Sequence, residues 1–127
     1  MPTHKIGIYI FDEVLGQNNH KIVVVPDPVD ATKGNALLFE VRLLDNEVAE
    51  VELEFNVPLL DGCPGEKPNN IVRKPPKPGT RKIDFKGHAR KPNDPPDVVF
   101  DKYTVRAFSA AGLLLTELDP IIIICDG

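Results

Sequence analysis

The sequence has very few of the residues that usually carry chemistry. It contains no tryptophan, one methionine, one serine and two cysteines, and only 6% of its residues are aromatic. This composition argues against a platform that stacks on sugars or on an aromatic cofactor. The single serine, Ser109, lies outside any Gly-x-Ser-x-Gly pattern, and no glycine-rich phosphate loop is present. We therefore expect a protein that is not an enzyme and carries no cofactor.

The two cysteines, Cys63 and Cys125, fit a reduced compartment, although their number also permits one disulfide. Cys63 lies in a Cys-Pro-Gly turn and is the best candidate for a nucleophile. It has no identifiable base in the sequence, so a structural thiol is the favoured interpretation.

The three histidines, His4, His20 and His88, form no metal-binding spacing. The stretch Asn93-Asp94-Pro95-Pro96-Asp97 resembles the calcium linker between cadherin domains, in its Asn, the first Asp and the prolines. That resemblance implies oxygen ligands for calcium, for which the weak candidates are Asp94, Asp97 and Asp101. The favoured interpretation is a solvated Asn/Asp-Pro turn and no metal site.

The apolar run at the N-terminus is short, and Asp12 and Glu13 interrupt it. It is too short for the core of a signal peptide and for a membrane span. We expect a cytoplasmic protein with no membrane partner.

The patterning predicts a single all-β domain over residues 1–127. The chain has 127 residues, 42% hydrophobic residues and 13 prolines, and no stretch of ten or more residues shows a helical apolar period. Alternation is clearest at 50–57, where Val51, Leu53 and Phe55 face one way and glutamates face the other. Seven candidate strands lie at residues 5–11, 21–25, 36–44, 50–57, 81–86, 99–109 and 113–125.

Turn signals between these runs predict one antiparallel β-sandwich of about seven strands. Residues 45–47 are interpreted as a hairpin connection, and residues 58–80 as an irregular loop. A basic, proline-rich loop and a short strand together occupy about 58–97. The four consecutive isoleucines 121–124 leave no polar face, so the last strand should be central or lie in a subunit interface.

Tyr103-Thr104-Val105-Arg106-Ala107 and the strand 121–125 after the Gly112 turn resemble the closing hairpin of immunoglobulin-like and fibronectin type III-like domains. The resemblance implies an immunoglobulin-like sandwich, without the core tryptophan and the cysteine pair of antibody domains. It also implies that Tyr103 is either a corner tyrosine bonded to backbone or an ordinary strand tyrosine.

Charge is divided unevenly along the chain. Residues 67–91 carry nine basic residues and one acidic residue, whereas the whole chain has 15 basic and 19 acidic residues. Opposite patches orient partners, so we expect protein–protein interaction or self-association, with a homo-oligomer as the simplest form. The candidate partner-binding residues are Arg73, Lys74, Lys77, Arg81, Arg90 and Lys91. The alternative function is a small-ligand or anion-binding protein, or an enzyme, with a site in the loops at one end of the sandwich.

Two further interpretations of the basic segment stay open. One is a solvated loop whose lysines protect a strand edge. The other is a set of cross-strand ion pairs, in which Glu50, Glu52 and Glu54 face Lys82 and Lys86. No specific nucleic-acid binding is expected, because the body is acidic and aromatic residues for base stacking are missing.

Overall fold

A computed structural model describes residues 3–14, 18–32, 34–55, 70–88 and 98–125. These residues form strands and turns, and none is helical. No helix in the described ranges is long and apolar enough to cross a membrane. The strands are β1 Thr3–Asp12, β2 His20–Val25, β3 Val29–Thr32, β4 Ala36–Leu43, β5 Glu50–Phe55, β6 Asn70–Lys74, β7 Lys82–His88, β8 Val98–Lys102, β9 Thr104–Phe108, β10 Leu114–Leu118 and β11 Ile121–Cys125.

The strands build a two-layer β-sandwich, as the sequence predicts. One layer is the first sheet, in the order β2-β1-β4-β7. The other contains the second sheet, β10-β9-β5-β6, and a short sheet, β3-β11-β8. The short sheet continues the second one, because only Tyr103 separates β8 from β9, and only Asp119-Pro120 separates β10 from β11. The chain changes layers between β2 and β3.

The pairing departs from the expected purely antiparallel pattern. β1 pairs in parallel with β4 along most of its length, and β3 pairs in parallel with β11. All other pairings are antiparallel among the described strands. The parallel pairs follow from the change of layer, which brings the chain back to the first sheet in the direction of β1.

The described residues form eleven strands, whereas the sequence predicts seven over the whole chain. β6 lies inside the segment expected to be an irregular loop, because Asn70–Lys74 is a proline-free stretch with two β-branched residues between proline-rich flanks. The sequence pattern does not predict β3, because Pro26 and Pro28 directly before it indicate a turn. The run 113–125 is interrupted at Pro120, which has no backbone N–H to donate to a ladder.

Residues 45–47 do not form a hairpin, although they do form a turn. β4 lies in the first sheet and β5 in the second, so the turn connects the two layers. The alternation that suggested paired strands is the same for any strand with one buried face.

The core lies between the layers and is formed by the inward residues of both sheets. Ile6, Ile8 and Ile10 of β1 are completely buried and belong to the same core cluster as Leu53 and Phe55 of β5, which are also completely buried. β11 is central in its sheet, as expected, and Ile122 and Ile124 are buried. The other face of β11 is only partly covered, since Ile121 is 37% exposed.

Tyr103 lies in the middle of this core. Its ring stacks on Phe55 with centroids 4.8 Å apart and meets Phe39 edge-on at 5.7 Å. Its hydroxyl is buried and has no hydrogen-bond partner in the described part of the chain. Tyr103 therefore does not make the backbone bond of a corner tyrosine there, and its buried hydroxyl costs stability.

We expect the substitution Tyr103→Phe to stabilise the protein by about 1 kcal/mol, because it removes an unpaired buried hydroxyl and keeps the ring contacts. Chemical denaturation of the two proteins near neutral pH measures the difference. Tyr103→Leu is the control, since it removes the aromatic contacts as well and should destabilise. A loss of stability in Tyr103→Phe would show that the hydroxyl has a partner in solution.

The same substitution should flatten the alkaline limb of the stability curve. Burial, and then the charge of Asp27, raise the pKa of Tyr103 above its ordinary value. The unfolded chain therefore releases this proton at a lower pH than the folded chain does, so stability is lost as pH rises above about 10. Tyr103→Phe should lose less stability than the wild type between pH 9 and pH 11.

Candidate functional site

The basic residues predicted to bind a partner are largely engaged within the molecule. The Arg73 guanidinium lies over the Phe108 ring, 3.5 Å from its centroid, and 3.8 Å from a carboxylate oxygen of Glu50. Lys74 turns inward and donates from Nζ to the backbone carbonyl of Asp84 at 3.0 Å. That carbonyl belongs to β7, an edge strand, so Lys74 covers part of a sheet edge.

Two further basic residues, Lys77 and Arg81, lie in the connection between β6 and β7 and bind other parts of the chain. Lys77 Nζ lies 2.6 Å from a carboxylate oxygen of Asp84. Arg81 Nη2 donates to the carbonyls of Asp45 and Val48, at 2.7 and 2.9 Å. Arg90 and Lys91 lie outside the described residues. A role of these six cations in partner binding stays a prediction, and the four described ones also have structural contacts.

The outer face of the first sheet carries an excess of positive charge. Its outward positions on β1, β2, β4 and β7 hold five basic and two acidic side chains. Lys21 is offset by Glu13 at 3.8 Å, and Asp84 by Lys77. The basic residues are Lys5, Lys21, Arg42, Lys82 and Lys86, and the acidic ones are Glu40 and Asp84. We call this surface the basic face.

An apolar strip runs along one side of the basic face. Val23 and Val25 of the edge strand β2 are 42% and 56% exposed. Val23 is paired with Tyr9 and Val25 with Gly7 on β1. The Tyr9 ring lies across Gly7, where a Cβ would be 3.0 Å from Tyr9 Cε2. A larger residue at position 7 would lift the ring, so Gly7 keeps the strip flat.

The outer face of the second sheet is acidic, and Arg106 is at its centre. Arg106 Nη1 lies 2.9 Å from Glu52 Oε2 and 2.7 Å from Glu54 Oε1, and its Nε lies 3.1 Å from Glu117 Oε2. With Glu50 and Arg73, the outward positions of β5, β6, β9 and β10 hold four glutamates and two arginines. We call this surface the acidic face.

The hydrogen bonds to Glu54, Glu52 and Glu117 raise the pKa of Arg106 further above its ordinary value. Arg106 therefore stays charged and holds three like-charged carboxylates together. The expected pairing of Glu50, Glu52 and Glu54 with Lys82 and Lys86 is wrong, because β5 and β7 lie in different layers. Arg106 was missed because strand alternation shows that it points outward but does not show which strand lies beside it.

A second polar cluster lies at the end of the sandwich where β1 meets β2. Nδ1–H of His20 donates to the buried carboxylate of Asp45, and His20 Nε2 lies 3.6 Å from Glu47 Oε2. The other oxygen of Asp45 accepts the backbone N–H of Glu47 at 3.0 Å. Since Arg81 binds the Asp45 carbonyl, the cluster joins β2, the β4–β5 turn and the start of β7.

A buried carboxylate that orients a histidine is also the arrangement found behind catalytic bases. His20 bonds to no hydroxyl or thiol in the described part of the chain, and Ser109 Oγ accepts the N–H of Leu113 instead. We therefore interpret the cluster of His20, Asp45 and Glu47 as structural. In the described ranges, no group of three or more His, Cys, Asp or Glu residues is placed to hold a metal ion.

The calcium candidates give no described site. Asp94 and Asp97 lie outside the described residues, as does Cys63. Asp101 is on β8, where its backbone pairs with Ile122, and its side chain is not among those described.

A cavity of about 300 Å³ opens near the end of the first sheet where β1 begins and β7 ends. Its lining residues come from three neighbouring strands and are Thr3, Ala36, Leu37, Leu38, Lys86, Gly87 and His88. The expected site for a small ligand was the loops at one end of the sandwich. The cavity instead lies on a sheet, where cross-strand neighbours set its shape.

Comparisons with known proteins give little about function. No family model matches the chain, and the search of curated proteins found no match. Among solved structures, the chain is similar to Fet3p, described as a multicopper oxidase that functions in iron import, with a TM-score of 0.46 and 7% identity. The similarity covers 98% of this chain and 28% of that one. It carries no argument about activity.

Proposed function

We propose that this protein is a non-catalytic β-sandwich interaction module that assembles with further copies of itself. The basic face of one copy binds the acidic face of the next. The observation that supports this proposal is the opposite charge of the two outer faces. Neither face could be identified from the charge split along the sequence alone, because the split follows the chain and the faces combine distant strands.

Charge complementarity steers two such faces together and fixes their orientation. The exposed Val23 and Val25 beside Tyr9 add an apolar contact at one side of the basic face. Four strands about 4.8 Å apart and seven residues long give a face of roughly 450 Å². This is about half the area per partner of a standard stable interface, so the association should be weak.

The proposed contact joins two different surfaces, so each copy in a pair keeps one free face. Such heterologous contacts form rings or open chains and not closed two-fold dimers. Growth beyond a dimer at high concentration is therefore part of the proposal.

We propose an immunoglobulin-like general plan, which the two layers and the change of layer between β2 and β3 support. We also propose the cytoplasm as its compartment, because two cysteines fit a reducing environment.

The charge reversal Lys82→Glu is expected to weaken self-association by about tenfold or more, because it places a carboxylate on the basic face opposite glutamates. Sedimentation equilibrium over a range of protein concentrations measures the association constant. The wild-type constant should also fall when salt rises to about 0.5 M, where the screening length is only a few ångströms.

Lys102→Glu is the matched control, since it makes the same change in net charge on β8, in the other layer. It should leave the association constant within about twofold of the wild type. Equal weakening by both variants would show that only net charge matters. A protein that stays monomeric at every concentration and salt would contradict the proposal.

A further inference from the structure

The cavity on the first sheet has an apolar floor and a polar rim. On the outward side, Thr3, Ala36 and His88 are register partners in one row, and Lys5, Leu38 and Lys86 are partners in the next. Ala36 and Leu38 are half-buried, while Thr3 and Lys86 are exposed. An apolar group can therefore lie on the centre strand while a polar group reaches the strands beside it.

The charge of the cavity has one sign. None of its seven lining residues is acidic, in a chain with 19 acidic residues. The Lys86 side chain has no hydrogen-bond or ion-pair partner among the described residues, and neither has the side chain of Lys5, which flanks Leu38 from the other side. Glu40 is one row away on β4, and no ion pair joins it to either lysine among the described residues. Two ammonium groups that lack a partner in the described part of the chain, one on either side of an apolar floor, favour an anion.

We propose that this cavity binds a small monocarboxylate with a short aliphatic chain. The carboxylate lies at the rim, where Lys86 Nζ and the Thr3 hydroxyl donate hydrogen bonds to it. The chain lies over Leu38 and Ala36. A cavity of about 150 Å³ holds a six-carbon ring, so a cavity of twice that volume has room for a chain of about six carbons.

A carboxylate fits the cavity better than phosphate does. A phosphate ion would place charged oxygens against the leucine and alanine side chains of the floor, which offer no donor. A neutral alcohol of equal length would leave the lysine without a counter-ion. The ligand must therefore have one charged end and one apolar end.

The probe is hexanoate, titrated into isotopically labelled protein and followed by backbone amide shifts. We expect saturable binding in the millimolar range, with shifts that centre on Thr3, Leu38 and Lys86. Acetate, hexanol and inorganic phosphate should each bind more weakly than hexanoate. Absence of saturable shifts at these residues would overturn the proposal, as would phosphate binding at least as tightly as hexanoate.

Lys86→Met keeps most of the apolar stem and removes the charge, and should weaken hexanoate binding by about three- to tenfold. Lys82→Met is the matched control, because Lys82 is on the same strand and the same face but outside the cavity. It should bind as the wild type does. Equal weakening in the two variants would mean general attraction to the basic face and no site.

We expect hexanoate to bind to a single copy of the chain, so binding should not require self-association. Val23→Asp, on the far side of the basic face, should reduce assembly and leave hexanoate binding unchanged. Loss of hexanoate binding in that variant would show that the cavity forms only between copies and would overturn a site within one chain.

Discussion

Replacement of Ile122 by lysine is expected to abolish soluble expression. Ile122 is 1% exposed and lies in the central strand of its sheet, between β3 and β8. A lysine there would bury an ammonium group without a partner, which costs more than about 4 kcal/mol. Domains of this size have only about 5–15 kcal/mol of stability in total. Expression in the soluble fraction, and the melting temperature of any soluble protein, are the measurements.

Ile123→Lys is the matched control, because the same substitution falls on the other face of the same strand. That face is only partly covered, so the long side chain can extend its ammonium group into water. We expect this variant to fold with a loss of about 1–2 kcal/mol. Equal failure of both variants would show that a further surface covers the outer face of β11, for example a second copy of the chain.

The substitution Asp45→Ala should be the next most damaging. It leaves His20 Nδ1–H and the Glu47 N–H without their acceptor in a site where the Asp45 side chain is 3% exposed. The expected loss is about 2–4 kcal/mol in unfolding free energy at neutral pH, measured by chemical denaturation.

Glu47→Ala is the control for Asp45→Ala. Glu47 faces the same histidine from 3.6 Å, but its side chain is 51% exposed, so its removal should cost less than about 1 kcal/mol. A double-mutant cycle between His20 and Asp45 should then give a clear coupling energy. If Asp45→Ala lowers the free energy of unfolding no more than Glu47→Ala does, the cluster does not hold β2, the β4–β5 turn and the start of β7 together.

The sequence predicts most of what depends on local alternation. The predicted faces of residues 36–44, 50–55 and 81–86 agree with the structure, since one face of each strand is buried and alternation records burial directly. Residues 56 and 57 of the predicted run 50–57 lie outside the described residues. The assignment of each strand to a layer is harder to predict, because a strand with one buried face has the same sequence pattern in either sheet. Residues 45–47 show this, since the turn there leads to the other layer.

The candidate site was predicted less well, for a related reason. A run of basic residues in sequence suggested one basic surface, but Lys74 points inward, and Arg81 binds two carbonyls. The basic face instead combines Lys5, Arg42 and Lys86 from three strands, and the acidic face depends on Arg106 beside β5. Such surfaces can be predicted only when the strand order is known, and neither the composition nor the residue spacing of the sequence contains that order.

The parallel pairing of β3 with β11 has a consequence for how the chain is made. Val29 pairs with Ile122, so β3 pairs with a strand that is synthesised much later in the same chain. Until β11 emerges from the ribosome, β3 lacks its partner, and the core lacks Ile122 and Ile124. Contacts between such distant parts of a chain form late in folding. A nascent chain stalled before residue 121 should therefore remain open to proteases and chaperones, however complete the first sheet already is.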